Sequence, residues 1–103
     1  MYTTIRTYNA DRRKMDEALR SIQDEFIPLV SAIPGFLEYE VIDAGDRLAT
    51  ISSFETKDGA EESTRRAAEF LKQRPDLAAA ITGRQVTEGE VKVHKAVEQV
   101  LSA

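Results

Sequence analysis

Between residues 15 and 43 the chain changes its hydrophobic period, and that change is what most constrains its fold. Met15, Leu19, Ile22, Phe26, Leu29, Val30 and Ile33 recur at steps of three and four, the spacing of one helix face. Pro34-Gly35 stops the pattern. Residues 36–43 then alternate with period two, with Leu37, Tyr39 and Val41 on one side and Phe36, Glu38, Glu40 and Ile42 on the other. Ala44-Gly45-Asp46 reads as a turn and residues 47–54 as a second strand, so the two form a hairpin. Pro28 lies inside the helical run and removes a backbone donor, which predicts a kink or loosening near Asp24.

The same signals recur on either side. Residues 2–8 are rich in β-branched and aromatic residues and read as a strand, and Asn9 or Asp11 can cap the helix that follows. Residues 57–74 read as a second helix. Thr56 or Asp58 stands near its start, and Ala60, Thr64, Ala67, Phe70 and Leu71 run along its buried side. Pro75-Asp76 breaks it, Asp76 can cap a short helix through residues 78–81, and Gly83 ends that. Residues 85–95 read as the last strand, with Val91 and Val93 facing the core and Glu90, Lys92 and His94 opposite. The order β-α-β-β-α-β is the ferredoxin-like plan of the α+β class, a four-stranded antiparallel sheet with helices on one face. At 103 residues this is a single domain, expected over residues 1–96, with a tail at 97–103.

Composition narrows the function classes. Asp and Glu number 18 against 14 Lys and Arg, a poor balance for neutralising phosphates, so nucleic acid is not an expected partner. There is no Cys and one His, which excludes thiolate chemistry and multi-histidine metal sites within one chain. No apolar run reaches the ~20 residues of a membrane span, and the first residues lack a signal-peptide layout. The expected location is the cytoplasm, with no membrane partner.

The sheet should have one face on the helices, carrying Ile5, Leu37, Tyr39, Val41, Ala49, Ile51, Val91 and Val93. The other face then carries Tyr2, Thr4, Arg6 and Tyr8, then Phe36, Glu38, Glu40 and Ile42, then Leu48, Thr50, Ser52 and Phe54. Four large apolar side chains among charges form a patch of the kind that marks a contact surface. The expected solution is a homodimer, sheet facing sheet, with Phe36, Ile42, Leu48 and Phe54 at the interface.

Three stretches carry a resemblance: the segment order over residues 2–95, Ile33-Pro34-Gly35-Phe36-Leu37, and Phe54-Glu55 followed by Lys57-Asp58-Gly59-Ala60. On these the chain resembles the antibiotic biosynthesis monooxygenase-like family of the dimeric α+β barrel superfamily. The resemblance implies a dimer whose facing sheets form a barrel, each subunit keeping a pocket between sheet and helices. It implies cofactor-independent oxygenation of a small apolar or aromatic substrate of the phenol, quinol or polyketide type. Many active members end the third strand in Trp, where this chain has Phe54, and carry a His on the second helix, where it has Ser63 and Thr64. The haem-degrading branch needs that His, although Asn9 lies near where that branch places an Asn. No cofactor and no metal are expected. A non-catalytic ligand-binding or stress-related dimer of the same fold is the alternative.

Arg6, Tyr8 and His94 form the candidate catalytic set. His94 is the one side chain whose ordinary pKa lies near neutrality and could act as a base. Arg6 could hold an anionic substrate, or else pair with Glu38 or Glu40. Phe36, Tyr39, Phe54 and Asn9 are the candidate substrate-binding residues, although aromatics at strand spacing are more often plain core.

Overall fold

The structure is a computed structural model describing residues 1–97. Its elements are β1 (Tyr2–Ala10), a 3₁₀ turn (Arg12–Lys14), α1 (Met15–Ser21), a π turn (Ile22–Phe26) and α2 (Ile27–Ser31). They continue with β2 (Phe36–Asp43), β3 (Arg47–Phe54), α3 (Lys57–Gln73), α4 (Pro75–Ala80) and β4 (Ile81–Glu90). The strands form one antiparallel sheet in the order β2-β3-β1-β4, with the helices packed on one face. This is the expected ferredoxin-like plan. No helix among the described residues is long and apolar enough to cross a membrane.

Local chemistry accounts for the ends of the elements. Asp11 accepts a hydrogen bond from the Arg13 N–H, and Thr56 from the Gly59 N–H, so each satisfies an amide that the first turn leaves free. Gly35 and Gly45 take positive φ at the two turns flanking β2. The loosening expected from Pro28 takes a definite form, a π turn just upstream. There the Ile27 N–H reaches back five residues to the Ile22 carbonyl. An α-helix would press the Pro28 ring against the Asp24 carbonyl, and the wider turn avoids this. Met15, Ile22, Phe26, Val30 and Ile33 are buried as the period predicts, Leu19 is half-buried, and Leu29 is exposed.

The face assignment is reversed on β1 and β3. Thr4, Arg6 and Tyr8, with Leu48, Thr50, Ser52 and Phe54, face the helices and are buried, while Ile5 points outward. Leu48 and Phe54 are fully buried, so they belong to the core and not to a subunit interface. Phe36 packs edge-on against Phe54 with ring centroids 5.8 Å apart and leaves the proposed interface with it. A register shift between Phe36 and Glu38 lets Phe36, Tyr39 and Val41 all reach the core and leaves Leu37 exposed. Ile42 stays on the outer face, in a row with Ala49 and Thr7, beside a row of Glu40, Ile51 and Ile5.

The last strand is also displaced. It runs Ile81–Glu90, not over residues 85–95. Its ladder ends where β1 begins, with Tyr2 opposite Glu90 and a final bond from the Val91 N–H to the Met1 carbonyl. Residues 91–97 have no regular structure, so Val93 and His94 are exposed and belong to neither sheet face. The tail expected from residue 97 onward lies, Val97 aside, outside the described residues.

Candidate functional site

The cavity lies between the sheet and the helices. The sheet supplies Arg6 and Tyr8 from β1, Tyr39 from β2, and Leu48 and Thr50 from β3, and the helices cover them with Ile22, Phe26, Phe70, Leu71 and Leu77. The space within it totals ≈ 340 Å³ counting its open mouth, and its tight part has room for about one water molecule. Phe26 forms the aromatic roof, with its ring centroid 5.7 Å from Tyr39 and 5.3 Å from Phe70.

Arg6 is the unusual member. Its residue is 1% exposed, yet no carboxylate pairs with it among the described residues. The Glu38 and Glu40 alternative therefore falls away, since the register places both on the opposite face. Hydroxyls hold the guanidinium instead. Nη2 donates to Thr64 Oγ1 at 2.7 Å and to Ser63 Oγ at 3.1 Å, and Nη1 to Ser52 Oγ at 3.4 Å. Nε has no partner. Burial lowers the Arg6 pKa, because desolvation disfavours the charged form. A buried guanidinium short of acceptors, in an otherwise apolar slot, is matched to a ligand bearing a negatively charged oxygen.

The two phenols stay neutral near pH 7. Burial raises the Tyr8 pKa against the pull of the Arg6 and Arg84 charges, and pushes that of Tyr39 up to about 12. They can donate hydrogen bonds to a developing oxyanion, and neither serves as a base.

The structure thus brings together Arg6, Tyr8 and Tyr39, with Phe54 buried in the same core. His94, exposed beyond the end of β4, is not brought to them, because the alternation that aligned it with Arg6 ends at Glu90. Asn9 is exposed and accepts a hydrogen bond from Arg47 at 3.0 Å. Sequence reasoning missed Ser63 and Thr64 as partners of Arg6, and Arg84 beside Tyr8. Their signal was indirect: Thr64 falls on the side of the helix that reads as buried, and Ser63 adjoins it.

No protein-family profile matches the chain. No curated protein sequence matches it either. Solved structures do. A monooxygenase, ActVA-Orf6 of Streptomyces coelicolor, in complex with nanaomycin D superposes with a TM-score of 0.75 at 12% identity, covering 94% of this chain and 92% of that one. This chain has the monooxygenase-like fold. A mutant of MhuD with two manganese protoporphyrin IX molecules per active site gives 0.72 at 16%, covering 94% and 100%. A mutant of SnoaB, a cofactor-independent oxygenase from Streptomyces nogalater, gives 0.65 at 11%, covering 90% and 94%. The lining here does not fit a porphyrin. It offers no imidazole, and Ser63 and Thr64 are engaged with the Arg6 guanidinium.

Proposed function

We propose that the protein is a cofactor-independent monooxygenase-like enzyme of a small aromatic of the phenol, quinol or polyketide type. The observation that supports this most is Arg6, a buried guanidinium with an unpartnered Nε facing an aromatic slot. An opposite charge favours the ionised form of a neighbouring group. A phenol held against Arg6 is therefore acidified in place, with Tyr8 and Tyr39 donating to the same oxygen. The resulting phenolate is electron-rich enough to reduce dioxygen directly. A phenol with a free para position and one O₂ give a para-quinone and one water. One oxygen atom enters the ring, the other leaves as water, and all four electrons come from the substrate. This balance needs no external reductant.

A second copy of the chain completes the molecule. The outer sheet face carries Ile5, Ile42, Ala49 and Ile51 between Glu38 and Glu40 on one side and Thr87 on the other, and no element of the described chain covers it. Isoleucines at the centre with polar residues at the border fit a sheet-to-sheet contact between copies.

The test is turnover of 1-naphthol by protein that has been chelated and dialysed, followed by quinone absorbance and oxygen uptake. Wild type should turn over. Arg6→Met should not, while keeping or raising its thermal stability, because an apolar replacement removes an unpaired buried charge. Arg65→Met, on the exposed surface, should match wild type. Binding without turnover would favour a non-catalytic ligand-binding dimer.

A further inference from the structure

The register of β4 contains a device that the reading above does not use. From Asn9 opposite Thr82, a regular ladder would place Tyr8 opposite Gly83 and Thr7 opposite Arg84. Thr7 is instead paired with Gln85. Two residues, Gly83 and Arg84, thus stand against Tyr8 alone, which is a β-bulge. Gly83 takes φ +63°, and a Cβ there would lie 2.7 Å from Asn9 Nδ2. The backbone at this point is open to glycine and strained for other residues.

The bulge changes which way Arg84 faces. In the regular ladder it would share the outer face with Thr7. With one extra residue inserted it shares the helix-side face with Tyr8, while remaining exposed to solvent. Its charge then acts on both cavity groups, pulling down the Tyr8 pKa and that of Arg6. Arg84 stands diagonally across the ladder from Arg6, whose partner is Val86, a relation that puts two residues roughly 7–8 Å apart. Neither guanidinium is ion-paired among the described residues. Glu88, opposite Thr4 on the same helix-side face, is the other diagonal neighbour of Arg6 and acts on it in the opposite sense, yet forms no ion pair with it among the described residues. Two like charges are thus held one on each side of a phenol, the inner one dry and the outer one wet.

We propose that the ligand is an aromatic acid with two anionic groups, one oxygen held by Arg6 inside the cavity and a carboxylate held by Arg84 on the solvent side of Tyr8. This rests on the cavity being the aromatic site proposed above, and it adds the chemical class of the ligand. Arg6 recognises the reacting oxygen, and Arg84 selects for the second acid.

Two probes test it by calorimetry or fluorescence, 6-hydroxy-2-naphthoate and 2-naphthol. They share the ring and the hydroxyl and differ by the carboxylate. Wild type should bind the hydroxynaphthoate about tenfold or more tightly than the naphthol, as a charge-assisted contact would give. Arg84→Met should bring the two affinities together, mostly by weakening the acid, with a much smaller change for the naphthol. Added salt should erode the preference in wild type, since the outer contact is exposed and screened, without weakening the naphthol comparably. Equal affinities in wild type, or a preference that survives Arg84→Met, would overturn the role of Arg84 and leave the cavity reading standing. Failure of both probes to bind wild type would overturn the cavity reading and this inference with it.

Discussion

Arg6 of β1 and Ser63 of α3 are joined by a hydrogen bond of 3.1 Å across the core, and the Ser63 hydroxyl donates in turn to the Ala60 carbonyl at 2.6 Å. The serine thus couples a cation on the sheet to the helix backbone. Both residues are almost wholly buried, so water cannot replace either contact. Ser63→Ala leaves Nη2 with Thr64 alone and should destabilise the protein by about 1–3 kcal/mol in urea unfolding. It should also weaken phenol binding several-fold, by loosening the guanidinium while keeping its charge.

Gly59 tests the packing at the start of α3. A Cβ there would lie 2.8 Å from Cδ1 of the fully buried Phe54 ring. Alanine normally favours a helix by roughly 1 kcal/mol over glycine. Forcing a methyl into a filled core costs about 1–3 kcal/mol. The clash should win, so Gly59→Ala should lower the melting temperature.

Tyr39 predicts an alkaline dependence. Its folded pKa is pushed up to about 12 by burial, against an ordinary value of 10.0. The folded state therefore holds this proton more tightly than the unfolded chain does. The resulting stability is complete below the unfolded pKa and is lost as pH rises through the folded one. Wild type should lose stability between those two values, and Tyr39→Phe should lose visibly less over the same range. Chemical denaturation at stepped pH measures the difference.

The outer sheet face predicts a change in association. Ile42 is 43% exposed and shares its row with Ala49. Ile42→Glu should shift the protein from dimer toward monomer in sedimentation at micromolar concentration, by placing a charge inside the contact. Leu48→Glu should unfold the chain instead, since Leu48 is core. A wild-type monomer would remove the second copy from the proposal.

The order of elements was legible in the sequence because it rests on local signals: the 3.6 period of residues 15–33, the turn at Pro34-Gly35, and the break at Pro75. The facing of the strands was not. On β1 the apolar residue of the alternation is Ile5 and the charged one Arg6, so hydropathy points Ile5 inward. The fold does the opposite, and the residue that breaks the rule sits at the centre of the candidate site. On β3 both faces carry apolar side chains, Leu48 and Phe54 against Ala49 and Ile51, and alternation alone cannot choose between them. The span of β4 depends on where β1 starts, and Gly83, which reads locally as the end of a helix, turns out to be a bulge. Tyr39 was placed correctly because Phe26 and the other helix residues it meets are themselves unambiguous core.

The π turn bears on how the cavity accommodates a guest. Ile22 and Phe26, its first and last residues, both form part of the cavity roof. The tight part of the slot has room for about one water molecule, so an aromatic ring enters it only where one wall gives way. The sheet floor is stiff, since β1 and β3 are each bonded to a strand on both sides and moving either would break two ladders. The roof crosses the one stretch of helix among the described residues where bonding runs five residues back and where Pro28 offers the Asp24 carbonyl no amide. The compliance of the molecule is therefore concentrated opposite Arg6, in the segment that must yield. Ligand occupancy should be felt there first, as slowed amide exchange at Phe26 and Ile27, while the central strands exchange as before.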